Sequence, residues 1–128
     1  MVTDPISDLL VRIKNASLVG KERISLPYSQ IKFAIAQILA REGYVAEVEK
    51  NKKTGELSIA LSYQAGRPAL NGVKRISKPS RRMYLGVRDV HPVKRGKGLL
   101  VLSTPAGILT GQEAQKARVG GEALFEIW

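Results

Sequence analysis

The sequence lacks cysteine and is poor in aromatic residues, and both shortages restrict what the chain can be. Without cysteine among its 128 residues, it can form neither disulfides nor thiolate metal sites, and an oxidising compartment is not indicated. Aromatic residues make up 5% of the chain, so the core must consist mainly of Ile, Leu, Val and Ala. No apolar run approaches the roughly 20 residues that span a membrane, and the N-terminus lacks the features of a signal peptide. These observations favour a cytoplasmic protein that does not bind a membrane.

Acidic residues are also scarce, and the resulting positive charge is concentrated in about a quarter of the sequence. Lys and Arg number 21 against 11 Asp and Glu, which gives a formal net charge of +10. Residues 66–97 carry ten of these cations and a single acid, Asp89. A solvated surface normally mixes the two signs. The clustering therefore indicates a polyanionic partner, because neutralised phosphates release counterions.

Hydrophobic periodicity predicts an α+β fold made of two small subdomains. Residues 1–64 show a helix that begins at Asp4, a short strand, a second helix that begins at Ser29, and a β-hairpin, in the order α-β-α-β-β. Residues 65–71 are rich in residues that break regular structure and are interpreted as a linker. Residues 72–128 predict a C-terminal subdomain that is rich in β-strands and contains one short helix.

The C-terminal subdomain supplies the candidates for nucleic-acid binding. Tyr84 could stack on an unpaired base, or it could be partly buried with its hydroxyl in water. Ser103 and Thr104 lie in a predicted strand-to-helix loop, where they could reach ribose or base edges or form an ordinary connection. Glu122 could accept a bond from a base amino group, orient an arginine, or be a surface strand residue. Phosphate contacts are predicted for a basic stretch on two short strands and their Pro turn: Lys74, Arg75, Lys78, Arg81 and Arg82.

An enzymatic function has little support in the sequence. A Ser103–His91–Asp89 triad can be assembled on paper, but no strained elbow or orienting motif supports it. The surroundings of His91, the single histidine, hold no cysteine and few acids, so a metal site is not predicted. No cofactor and no small-molecule substrate are expected. Two alternatives remain: a generic protein that binds DNA or another polyanion, and a small hydrolase centred on His91.

Several segments together resemble the bacterial small-subunit ribosomal protein eight family. In the same order and spacing as in that family, the chain carries TDPISDLLVRIKNA at 3–16, LPYS at 26–29, EGY at 42–44, SKPSRR at 77–82 and VGGE at 119–122. The resemblance covers the whole chain. It implies two small α/β subdomains and no catalytic activity. It also implies direct binding to the central domain of small-subunit ribosomal RNA, a role in assembling the subunit, and neighbouring small-subunit ribosomal proteins as partners.

The resemblance also implies specific RNA contacts. In the C-terminal half these would be Ser103, Thr104, Gly107, Tyr84, Glu122, Lys78, Arg81 and Arg82. A smaller N-terminal contact would involve Ser29, Lys32, Arg12 and Lys14. The family commonly has Ser and Lys where this chain has Pro105 and Ala106, so the loop is expected to make fewer polar contacts.

Overall fold

The structure, a computed structural model, describes residues 4–90 and 98–128 and confirms the α+β class. The described residues fall into two units, Asp4–Asn71 and Gly72–Trp128. Residues 65–71, interpreted from the sequence as a linker, lie within the first unit. Among the described residues, no helix is both long and apolar enough to cross a membrane.

The first unit contains two helices and a three-stranded antiparallel sheet. In chain order its elements are α1 (Pro5–Leu18), β1 (Arg23–Pro27), α2 (Gln30–Arg41), β2 (Val45–Asn51), β3 (Glu56–Leu61), β4 (Tyr63–Gln64) and β5 (Arg67–Pro68). The strands of the main sheet lie in the order β1-β3-β2, and β4 and β5 form a separate two-stranded ladder. The predicted order α-β-α-β-β is confirmed, with the short β4–β5 ladder added after it.

Both helices of the first unit begin at the predicted capping residues. Asp4 accepts a hydrogen bond from the backbone N–H of Ser7 at 3.2 Å, and Ser29 accepts one from that of Lys32, also at 3.2 Å. Each cap satisfies a backbone donor that the first helical turn leaves without a partner. The buried faces of the two helices contain Ile6, Leu9, Leu10, Ile13, Ile35, Ile38 and Leu39.

The second unit is built around its last strand. Its elements are β6 (Val73–Arg75), β7 (Tyr84–Leu85), a 3-10 turn (Val87–Asp89), β8 (Leu99–Thr104), β9 (Gly107–Thr110), α3 (Gly111–Ala117) and β10 (Gly121–Ile127). β10 pairs antiparallel with β8 along one side and with β6 and β7 along the other, and β9 continues the sheet beyond β8. Segments that are far apart in the sequence therefore meet at β10.

The segment after β8 does not connect a strand to a helix as the sequence suggested. It is the turn of a β-hairpin, in which β8 and β9 pair with Thr104 opposite Gly107. The Thr104 hydroxyl donates to the carbonyl of Gly107 at 2.8 Å and accepts from the N–H of Ala106 at 3.1 Å. Gly107 has a φ of +113°, which strongly favours glycine. The bonds of the Thr104 side chain to the backbone thus stabilise the hairpin turn. The second strand of the hairpin is too short to show a clear alternation of apolar and polar residues.

Two consecutive glycines allow the strands around β10 to approach one another closely. A Cβ atom at Gly120 would overlap the carbonyl oxygen of Leu85, and one at Gly121 would overlap that of Ser103. Both obstacles are backbone atoms of paired segments, so they cannot move without shifting a strand. The glycine pair is therefore required where β10 enters the sheet.

We expect Gly121→Ala to lower the free energy of unfolding by about 2 kcal/mol or more, because the added methyl group forces β8 away from β10. Urea denaturation would measure the change. Gly86→Ala is the matched control, since among the described atoms its Cβ would meet a side-chain oxygen of Asp89 at 3.4 Å, an ordinary van der Waals distance. Equal stability of the two variants would contradict the close-approach argument.

Candidate nucleic-acid interface

Three of the predicted site residues form a single row across three strands. Glu122 on β10 is paired with Tyr84 on β7 and, on its other side, with Ser103 on β8. Directly opposed residues in antiparallel strands project from the same face of a sheet. The residues next to them in the same strands project from the opposite face, where Leu85, Leu102 and Ala123 pack in a hydrophobic cluster with Ala114 of α3. The sheet thus brings together side chains separated by up to 38 positions, between residues 84 and 122.

The members of this row differ in their exposure to solvent. Tyr84 is 70% exposed, which rules out the alternative that it is a partly buried residue. The Glu122 side chain is 17% exposed, and Ser103 is half-buried. Beyond Ser103, the hairpin turn extends the same end of the sheet with the exposed backbone of Gly107. The row therefore presents an open aromatic ring beside a shielded carboxylate and a hydroxyl.

Glu122 connects the row to the basic segment. One carboxylate oxygen accepts hydrogen bonds from the Ser77 hydroxyl and from the Arg82 guanidinium, the latter at 2.9 Å. Partial burial acts to raise the pKa of Glu122, but the hydrogen bonds from Ser77 and Arg82 and the charges of Arg82 and Arg75 outweigh it and lower the pKa. Of the roles predicted for this residue, orientation of an arginine is the one that the geometry displays.

Residues 78–82, called the basic turn below, project from the sheet beside this row. The N–H and carbonyl groups of Lys78 and Arg81 bond to each other at 3.0 Å in both directions, which closes a tight turn. Lys78, Arg81 and Arg82 are all exposed. Three cations are therefore held on a short, closed segment, and this arrangement suits contact with phosphates.

Three of the four predicted residues of the first unit lie close together, since Ser29 accepts from the backbone of Lys32, and Lys32 and Arg12 both pair with Asp8. Lys32 is buried, and its amine lies 3.4 Å from the carbonyl of Pro27 and 3.8 Å from a carboxylate oxygen of Asp8. The hydroxyl of Ser29 caps α2, and Arg12 forms an ion pair with Asp8 at 3.2 Å. The partners of Lys32 are internal, so its geometry counts against an RNA contact. Lys14, in contrast, is exposed on α1.

Sequence reasoning missed Ser77, because a serine between Ile76 and a basic turn has no distinguishing pattern. The structure buries it completely and bonds it to Glu122. His91, on which the hydrolase alternative depends, lies outside the described residues, as do the cations Lys94, Arg95 and Lys97. Within residues 4–90 and 98–128, no group of three or more His, Cys, Asp or Glu side chains could hold a metal ion.

Comparison with known proteins gives one consistent result. A sequence model of the family described as ribosomal protein S8 matches residues 4–128. The chain is 47% identical over 128 residues to the small ribosomal subunit protein uS8 of Nitratidesulfovibrio vulgaris (Miyazaki F), with all of both chains covered. It is 46% identical over 136 residues to that of Persephonella marina and 43% identical over 128 residues to that of Lawsonia intracellularis, again over the full length of both.

We expect Glu122→Gln to remove part of the acid sensitivity of the fold. Because the folded-state pKa is lowered, ionised Glu122 stabilises the protein above its unfolded value of about 4.3, and this contribution is lost as the pH falls through the lower folded pKa. The difference in unfolding free energy between wild type and variant should therefore shrink as the pH falls below about 4.3.

Denaturation curves at a series of pH values would measure this difference. Glu22→Gln, at an exposed position of the first unit, is the control and should leave the acid dependence unchanged. A difference between wild type and Glu122→Gln that stays constant with pH would contradict the role of the carboxylate.

Proposed function

The chain belongs to the ribosomal protein S8 family, and we propose that it binds the central domain of small-subunit ribosomal RNA directly through its second unit and helps to assemble that subunit. Proteins of this family are structural, non-enzymatic components of the small ribosomal subunit in the cytoplasm, and so is this chain. The family resemblance of the sequence supports the central domain as the region of RNA that is bound. The geometry of the row and the basic turn supports the mode of binding.

The observation that carries the proposal is the cross-strand row of Tyr84, Glu122 and Ser103 with the basic turn beside it. A generic polyanion binder needs cations only, because phosphate contacts contain no sequence information. The exposed ring of Tyr84, the Ser103 hydroxyl and the exposed backbone of Gly107 add groups that can distinguish an irregular RNA from a regular duplex. This combination favours a specific RNA over DNA or a membrane surface.

Affinity would come mainly from the basic turn. Lys78, Arg81 and Arg82 are exposed and held on a closed segment, so they can contact consecutive phosphates of a folded strand. Each neutralised phosphate releases counterions and makes binding weaker as the salt concentration rises. Assembly would use the same contacts, since a protein that binds RNA at an ordered site limits the conformations that the RNA can adopt.

Selectivity would come from the end of the sheet. The ring of Tyr84 can stack on a base that has left its helix, as irregular RNA stems provide. Ser103 offers a hydroxyl beside it, and the exposed backbone of Gly107 lets a ribose or base approach closely. Thr104 contributes chiefly through the shape of the turn, since its hydroxyl is already bonded to Gly107 and Ala106.

We expect the double variant Arg81→Ala, Arg82→Ala to weaken binding to every RNA and to make the salt dependence shallower. Two lost phosphate contacts should reduce the slope of log K against log salt by roughly 1.5 to 2. Filter binding or fluorescence titration at several salt concentrations would measure it. Lys52→Ala, Lys53→Ala, which removes two exposed lysines from the first unit, is the charge-matched control. An unchanged slope in the Arg variant would exclude this role.

We expect Tyr84→Leu to weaken binding to a central-domain stem by roughly fivefold or more, since stacking on one base contributes about 1 to 3 kcal/mol. A scrambled RNA of equal length should lose much less. Tyr84→Phe is the matched control, because it keeps the ring and removes only the hydroxyl. If Tyr84→Leu weakened binding to both RNAs equally, the protein would be a generic polyanion binder and the proposed selectivity would be wrong.

A further inference from the structure

The basic turn is attached to the sheet at two points that share one residue of β10. At its start, the N–H of Ser77 donates to the carbonyl of Ala123 at 2.9 Å. At its end, the carbonyl of Met83 accepts from the N–H of Ala123, also at 2.9 Å. The turn therefore leaves and rejoins the sheet at the same place, and Ser77 and Met83 form its neck. The bonds between these two residues determine how firmly the cations of the turn are held.

A single buried hydroxyl closes this neck. Ser77 is 0% exposed, and its hydroxyl oxygen accepts a hydrogen bond from the N–H of Met83 at 3.1 Å. The same hydroxyl donates its proton to the carboxylate of Glu122. A serine hydroxyl has one donor and two acceptor positions, so it can bridge a backbone N–H and a carboxylate at once. Neither alanine nor valine could make both bonds.

We propose that Ser77 is a positioning residue of the RNA site, which clamps the neck of the basic turn and holds Glu122 against Arg82. The proposal rests on the proposed RNA-binding function and names a residue of the same site. Ser77 is fully buried and does not itself contact RNA. Its effect passes through the groups that it fixes.

Because Glu122 contacts Arg82 of the basic turn, the Ser77 hydroxyl also influences the order of the cations. Arg82 approaches the carboxylate from the basic turn, and the charge of Arg75 acts on it from β6. Tyr84 flanks it on β7 and Ser103 on β8. Without the Ser77 hydroxyl, the carboxylate keeps the Arg82 bond but loses the contact that fixes its rotamer. Arg82 would then be tied to a mobile partner, and the cations of the turn would lose order before RNA arrives. RNA binding would then have to order these side chains, and the entropy lost in doing so would reduce the affinity.

The test uses Ser77→Ala in the full chain, with two readings on the free protein. Hydrogen exchange of the Met83 amide should accelerate at least severalfold, because its acceptor is gone. The pKa of Glu122, followed by NMR of its side-chain carboxyl carbon, should rise toward the ordinary value, because one hydrogen bond to the charged form is lost. Ser25→Ala is the matched control, since it removes a hydroxyl bonded to Glu56 at 2.8 Å in the first unit.

The third reading is RNA affinity at a temperature where both variants are fully folded. We expect the dissociation constant of Ser77→Ala for a central-domain stem to rise by roughly tenfold, or about 1.4 kcal/mol. The Ser25→Ala variant should bind like wild type. In addition, Arg82→Ala should weaken binding less in the Ser77→Ala background than in wild type, because the two residues act through one arrangement.

The outcomes separate the two proposals. Unchanged Met83 exchange and an unchanged Glu122 pKa would overturn the clamp. If both changed while the affinity did not, Ser77 would be a structural residue with no part in RNA binding. If wild type bound stem and scrambled RNA equally, the proposed function would fail, and the positioning role with it, whatever the two readings on the free protein showed. Additive effects of Ser77→Ala and Arg82→Ala would overturn the claim that Ser77 acts through Arg82.

Discussion

The second unit depends on one shielded carboxylate at the point where its strands and its basic turn meet. Glu122 lies on the central strand β10, opposite Tyr84 and Ser103, and accepts bonds from Ser77 and Arg82. A carboxylate that is 17% exposed is stable as a charge only because donors surround it. The same donors lower its pKa. Removing either donor would therefore disturb both the packing of the second unit and the exposed surface formed by the row and the basic turn.

The site exists only when the whole unit has folded. Its residues come from positions 77–84, 103–107 and 122, and none of these segments can form the arrangement alone. β10, which ends at Ile127, brings them together, so the long-range pairings must form before any RNA contact is in place. The glycines at 120 and 121 serve this assembly, because they let β7 and β8 approach the entry to β10. At the proposed RNA site, stability and recognition would thus be coupled through backbone packing and not through the contact residues only.

Local signals explain what the sequence could predict. Caps at Asp4 and Ser29 and the apolar periodicity identified both helices of the first unit, and the charge imbalance identified the basic turn. The β8–β9 hairpin was missed because its turn depends on one Thr hydroxyl and its second strand has four residues. Burial of Lys32 and Ser77 was also missed. Both follow from tertiary neighbours that no local pattern encodes, since lysine and serine are usually exposed.

An ion pair inside the proposed RNA site raises a physical question, because Glu122 could compete with phosphate for Arg82. The guanidinium has five N–H donors in a planar fork, and the structure shows one of them bonded to Glu122 at 2.9 Å. The Arg82 side chain is 52% exposed, so further donors can reach solvent. A phosphate can therefore bind the outer edge while the carboxylate holds the inner edge. Glu122 then slightly reduces the net positive charge beside the phosphate, but it fixes the orientation of the Arg82 guanidinium. A fixed orientation favours a bidentate contact with phosphate, which depends on geometry more than a diffuse electrostatic attraction does.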